Sequence, residues 1–193
     1  MYKLPERGEK VMNKKILKSF LIGSLLIAGL ILVVSGCGKK EVSTDPLNLY
    51  NKVQLGMLKE DAEKALEVEP ATKGKGFNYV DENTGYGVTV DYDENSVVVF
   101  KSLYVPDDSY LDGLSRGTVT AEQVNSLSEG MSYDEVQTAL GGVEGIEVNC
   151  AKNKKDEANP YSVMAWVNPD HSVAYITFLG IKGTVKTFEF RQP

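Results

Sequence analysis

Apolar residues are spaced along this chain in three ways, and each spacing predicts a different kind of element. Near the N-terminus they form an unbroken run, "FLIGSLLIAGLILVV", over residues 20–34. From Pro46 they recur every three positions, at Leu47, Tyr50 and Val53, which predicts a short helix to about Lys52 with Asp45 and Pro46 as its cap and first turn. Gly56 ends it. A second helix is predicted after Gly56-Met57: Ala62, Ala65 and Leu66 share one side, Lys59, Glu60, Glu63 and Lys64 the other, and Pro70 stops it. Beyond Pro70 the apolar positions come in short alternating runs, "FNYV", "YGVTVDY" and "SVVVFKSLYV", with "DENTG" and "DENS" between them. That pattern predicts an antiparallel meander.

The plan then recurs. Val53, Gly56, Met57, Asp61, Ala65 and Leu66 correspond, 74 positions later, to Leu127, Gly130, Met131, Glu135, Ala139 and Leu140. Thr120 with Gln123 and Ser132 with Glu135 have capping-box spacing, whereas the first copy has Leu58 where Ser132 stands. For the strands, "YGVTVDYDENSVVVF" aligns with "YSVMAWVNPDHSVAYITF", the displacement drifting to 76 by Ser96 and Ser172, and "GTVKTFEF" supplies a last strand. The expectation is an α+β fold of two tandem repeats, residues 46–104 and 120–193, joined by a linker over 105–119. Each repeat packs a short helix pair on one face of an antiparallel sheet and leaves the other face open. Strand alternation assigns Tyr86, Val88, Val90 and Tyr92, with Tyr161, Val163 and Ala165, to the helix face. Met164, Trp166 and Tyr175 then fall on the open face, where large amphipathic side chains suit a protein partner.

The N-terminal run reads differently once its flanks are included. Lys14, Lys15 and Lys18 precede it, and it closes on Val34-Ser35-Gly36-Cys37. A basic region, a 15-residue apolar core and small residues before a cysteine resemble a bacterial lipoprotein signal peptide, and the core is shorter than the ~20 residues a spanning helix needs. Residues 1–36 are thus expected to be removed, with Met12 the more usual signal start, and Cys37 to carry diacylglycerol in the bilayer. Residues 37–45 are polar enough to serve as a tether. The expected place is the outer side of the cell membrane, lipid-anchored.

Charge narrows the partners. Six of 21 basic and two of 27 acidic residues fall within the first 36, so the remainder carries 15 basic against 25 acidic side chains. Nucleic acid, whose phosphates need basic clusters, is an unsuitable partner. With Cys37 committed to lipid, Cys150 is left alone and no intramolecular disulfide is expected; in "GIEVNC" it shares a predicted strand face with Ile146 and Val148 as a small buried hydrophobe.

The doubled pattern of short helix, Gly-Met, second helix ending in Ala-Leu or Ala-x-x-Leu, then a hairpin, resembles the tandem repeat of the β-lactamase-inhibitor-protein-like (BLIP-like) fold. The same unit occurs singly in the SmpA/OmlA small lipoproteins of outer-membrane assembly. The resemblance covers residues 46–193. It implies a protein-binding or inhibitory module that grips its target with the concave sheet surface. Inhibition itself does not follow, because the secreted inhibitor has a disulfide in each repeat and this chain has none to offer.

Three strings could carry chemistry, and each has a plainer reading. Gly113-Leu114-Ser115-Arg116-Gly117 fits a serine-hydrolase elbow, but polar residues precede it where a buried strand is required, and the sole histidine, His171, sits in a predicted turn. Asp91, Asp93 and Asn95 match the start of a calcium loop without its glycine or terminal glutamate, so a hairpin turn explains them. His171 lacks companion ligands for a metal. The sequence therefore points to a binding protein rather than an enzyme, with no cofactor or metal. The alternatives are a structural or assembly lipoprotein, a carrier with a pocket between the repeats, and a hydrolase using Ser115.

Overall fold

The structure, a computed structural model, describes residues 43–71 and 76–193. The signal peptide expected at 1–36, Cys37 with its expected lipid and most of the expected tether lie outside the described residues. The element order is α1 (Asn48–Lys52), α2 (Lys59–Leu66), β1 (Phe77–Val80), β2 (Gly87–Tyr92), β3 (Val98–Tyr104), a 3₁₀ helix (Asp108–Leu114), α3 (Ala121–Asn125), α4 (Tyr133–Ala139), β4 (Ile146–Ala151), β5 (Tyr161–Val167), β6 (Val173–Leu179) and β7 (Thr184–Arg191). The class is α+β, mostly sheet: seven strands pair antiparallel in sequence order. β3 and β4 pair through Phe100, Lys101 and Ser102 with Ala151, Cys150 and Asn149, so the strands form one continuous sheet.

Local chemistry accounts for the helices. Thr120 and Ser132 each form a complete capping box, with Gln123 and Glu135 returning the bond. α2 starts at Leu58 without a side-chain cap and relies on Glu60 and Asp61 against the helix dipole. Before α1, Asp45 accepts from the Leu47 N–H at 2.9 Å, although the cap position itself is Leu47. The Gly-Met pairs have a geometric cause. Gly56 and Gly130 take φ of +85° and +89°, backbone that side-chain-bearing residues resist. Each methionine sulfur then folds back onto a loop N–H, Met57 onto Gln54 and Met131 onto Ser128, both at 3.1 Å.

The same loops dock on strands in the same way. The Gly56 N–H donates to Val98 O and the Val98 N–H to Met57 O; Gly130, Met131 and Val185 repeat the pair. Val98 opens β3 and Val185 lies in β7, so the strand beside the second loop is β7. The registers agree. Phe77 pairs with Val90 and Val90 with Lys101, as Met164 pairs with Ile176 and Ile176 with Phe188. Both trios carry a register shift, between Asp91 and Tyr92 and between Thr177 and Phe178, which leaves Val99 and Lys186 as the extra residues. β1–β2–β3 therefore corresponds in register to β5–β6–β7, whereas the sequence strings align β2–β3 with β5–β6.

Two cores lie under the helices. One gathers Leu49, Tyr50, Val53, Ala62 and Leu66 on Tyr79, Val88, Val90 and Val98. The other gathers Val124, Leu127, Tyr133, Val136 and Leu140 on Met164, Trp166, Ala174, Ile176, Phe178 and Val185. A third, smaller core lies where the 3₁₀ helix covers part of the sheet, with Leu114 against Ile146, Ala165, Val167 and Val173. Tyr86 joins this third core, and its hydroxyl donates to the Tyr110 carbonyl.

Candidate functional site

The face assignment of β5 is the reverse of the one expected from sequence. Met164 and Trp166, proposed for an open face, are 4% and 2% exposed beneath α3 and α4. The Trp166 indole donates to Val143 O at 2.9 Å and its ring stacks on Tyr133. β5 corresponds to β1 rather than to β2: Tyr79 pairs with Val88 as Trp166 pairs with Ala174, and both Tyr79 and Trp166 are buried. Tyr161, Val163 and Ala165 face away from the helices, and so does Tyr175, which pairs with Ala165. Of the three partner-binding candidates, Tyr175 alone reaches the open face.

That face carries a cleft of about 780 Å³ on the side opposite the helices. Its floor is Ser102, Asn149, Val163, Tyr175 and Thr177 from β3 to β6, and one wall is the 3₁₀ helix with Leu111 and Leu114. Arg191 lies over the Tyr175 ring at 4.9 Å and is held by Glu189 at 2.6 Å. Burial raises the Tyr175 hydroxyl pKa, with Arg191 opposing it, so this group is a neutral donor at physiological pH. Asp107 and Asp108 edge the cleft; the Asp107 carboxyl is held below its usual range by the Ser109 hydroxyl and N–H. Only Arg191 opposes Asp107, Asp108 and Glu189 along the lining, so the cleft is mildly acidic. The surface can bind through aromatic and hydroxyl contacts.

The other candidates resolve locally. Ser115 leaves the 3₁₀ helix into extended backbone, with no strand-turn-helix around it. His171 sits in the β5–β6 turn at φ +66°, and its Nε2 meets Asp112 at 2.9 Å, tying that turn to the linker. Asp93 accepts from the Asn95 and Val97 N–H groups at 2.9 Å each, which makes the acidic string a hairpin turn. Among the described residues, no cluster of three His, Cys, Asp or Glu side chains is placed to hold a metal, and no helix is long and apolar enough to cross a membrane.

Cys150 is buried as expected, but on the face opposite Ile146, because a register shift between Glu147 and Asn149 resets the alternation. The shift also turns Glu147 inward beside Lys101, a pair that alternation alone did not disclose. Glu147 accepts from the Tyr50 hydroxyl and from Ser162, both at 2.9 Å. Lys101 is 7% exposed and lies 3.9 Å from the centre of the Tyr50 ring. The signal for it was a lysine within β3 at the position paired with the buried Val90.

No family model matches the chain, and no curated protein matches it in sequence.

Proposed function

We propose that the chain is a cell-envelope lipoprotein, anchored in the membrane by a lipid on Cys37 and facing outward, that binds another protein through its open sheet face. Its two halves are tandem copies of one unit, with the helix pairs on one side and β1–β2–β3 matched to β5–β6–β7. The observation that carries the binding reading is the cleft of about 780 Å³ on the sheet face opposite the α-helices, floored by Tyr175 and its neighbours. The duplication reading is supported by the shared docking of the two Gly-Met loops and by the shared register shift. The anchor is supported by the basic, apolar and Ser-Gly-Cys segments of the N-terminus.

Photocrosslinking in intact cells tests the binding reading. A photoreactive residue at Thr177, on the open face, should give one discrete protein adduct that Tyr175→Ala weakens. The same probe at Thr138, exposed on α4, should not give that adduct. Equal adducts from both positions, or none from Thr177, would refute the binding face. Cys37→Ala separately tests the anchor: the protein should leave the membrane fraction, and retention there would refute it.

A further inference from the structure

On the helix side, between the two halves, lies a second cleft of about 420 Å³, within the size range of ligand pockets. Leu55, Val97, Val98, Pro160 and Ile181, the last 69% exposed in the β6–β7 turn, are its apolar walls, and Gln54, Lys152 and Glu157 complete the lining. At its base stand Lys101, Glu147 and Cys150.

The lysine is the anomaly. Lys101 Nζ lies over the Tyr50 ring at 3.9 Å, but the oxygens that its three donors face, Tyr50 O and Glu147 Oε1, both stand at 3.5 Å, the outer limit of a hydrogen bond. Glu147 is meanwhile drawn to shorter bonds, with Tyr50 on Oε1 and Ser162 on Oε2. A buried ammonium whose hydrogen bonds are this long still has donor capacity to offer, and the sheet does not require a cation there, because the matching position in the second trio of strands is Phe188.

We propose that this cleft binds a small uncharged ligand with an aliphatic body, whose carbonyl oxygen accepts a hydrogen bond from Lys101. The charge follows from the lining. Lys101 and Glu147 cancel at the base, and Lys152 and Glu157 pair at 3.1 Å farther out. Burial and the nearby Glu147 push the Cys150 thiol up to about 11, so it adds no charge. A carboxylate would meet Glu147, and an amine would meet Lys101; a neutral acceptor meets neither penalty. The site lies on the opposite side of the sheet from the Tyr175 cleft and does not depend on the protein-binding reading.

Hexanamide is a suitable probe, titrated into the full chain in mild detergent and followed by amide shifts in ¹⁵N–¹H spectra. It should move the amides of Lys101, Cys150 and Ile181, saturating on the order of millimolar for so small a ligand. Lys101→Met should weaken it about tenfold, the worth of one charge-assisted bond. Leu55→Trp, which narrows the cleft from a half-exposed position, should weaken it comparably and decides the matter if Lys101→Met does not fold. Hexanoate should bind several-fold more weakly than hexanamide. The proposal is overturned if hexanamide moves no cleft amide, if both variants bind it like the parent, or if hexanoate binds as tightly.

Discussion

Replacing Trp166 with alanine separates the two possible faces of β5. Were the indole displayed to a partner, its loss would weaken binding and leave folding almost unchanged. In the structure it lies inside, 2% exposed, stacked on Tyr133 and donating to Val143 O. A buried tryptophan removes about 150–250 Å² from water, worth roughly 4–6 kcal/mol at about 25 cal/mol per Å². Alanine keeps part of that area and the surroundings relax partly, so the expected loss is about 3–5 kcal/mol. The freed Val143 carbonyl adds little, because Val143 is half-buried and water can reach it. Set against a total of about 5–15 kcal/mol, the variant stands near the edge of stability.

Urea unfolding followed by far-ultraviolet circular dichroism measures that loss, with Tyr175→Ala alongside as a half-buried comparison expected to cost about 1 kcal/mol. Since Trp166 is the chain's only tryptophan, its fluorescence in the parent gives an independent reading. Emission should be blue-shifted and protected from iodide until the protein unfolds. A cost below about 1 kcal/mol for Trp166→Ala, together with iodide quenching in the folded state, would refute the buried assignment and return the indole to the surface.

Leu58→Ser should stabilise the chain by about 0.5–1 kcal/mol, since it gives α2 the side-chain cap that Ser132 gives α4 and removes a side chain 53% exposed; an unchanged urea midpoint would show that the cap does not form. Cys150, buried and with its thiol pushed up to about 11, should react with a disulfide reagent at pH 8 only after unfolding, and peptide mapping that finds it labelled in the native chain would contradict its placement. The Glu135 carboxyl is held below its usual range by the Ser132 N–H and hydroxyl, so its contribution is present above the unfolded value and disappears as pH falls through the folded one. Between about pH 5 and pH 3, Glu135→Gln should therefore lose stability less steeply than the parent, and parallel curves would remove the capping box as the cause.

Much of the fold is legible in the sequence because its signals are local. A capping box is complete within four residues, so Thr120–Gln123 and Ser132–Glu135 can be read directly, and the Gly-Met pairs mark backbone that only glycine adopts easily. The strands announce themselves by their turns. Which face each strand turns inward is a different kind of information, since one residue of slip moves every side chain across the sheet. Three register shifts, at Asp91/Tyr92, Glu147/Asn149 and Thr177/Phe178, make that slip, and no turn residue marks them.

The consequences fall on the residues that bear on function. Ile146 and Cys150 share a face by counting but not in the sheet, and the shift that parts them brings Glu147 against Lys101 and Tyr50. Met164 and Trp166 go inward because β5 matches β1, a correspondence hidden by β4, which pairs with β3 and so displaces the second trio of strands. β4 lies between the two trios of strands. It joins their strands into one sheet, supplies Asn149 to the open cleft on one side and supplies Glu147 and Cys150 to the narrower cleft on the other. A strand without a counterpart in the first trio lines both candidate sites, and substitutions there should perturb binding on either face more than equivalent changes in β2 or β6.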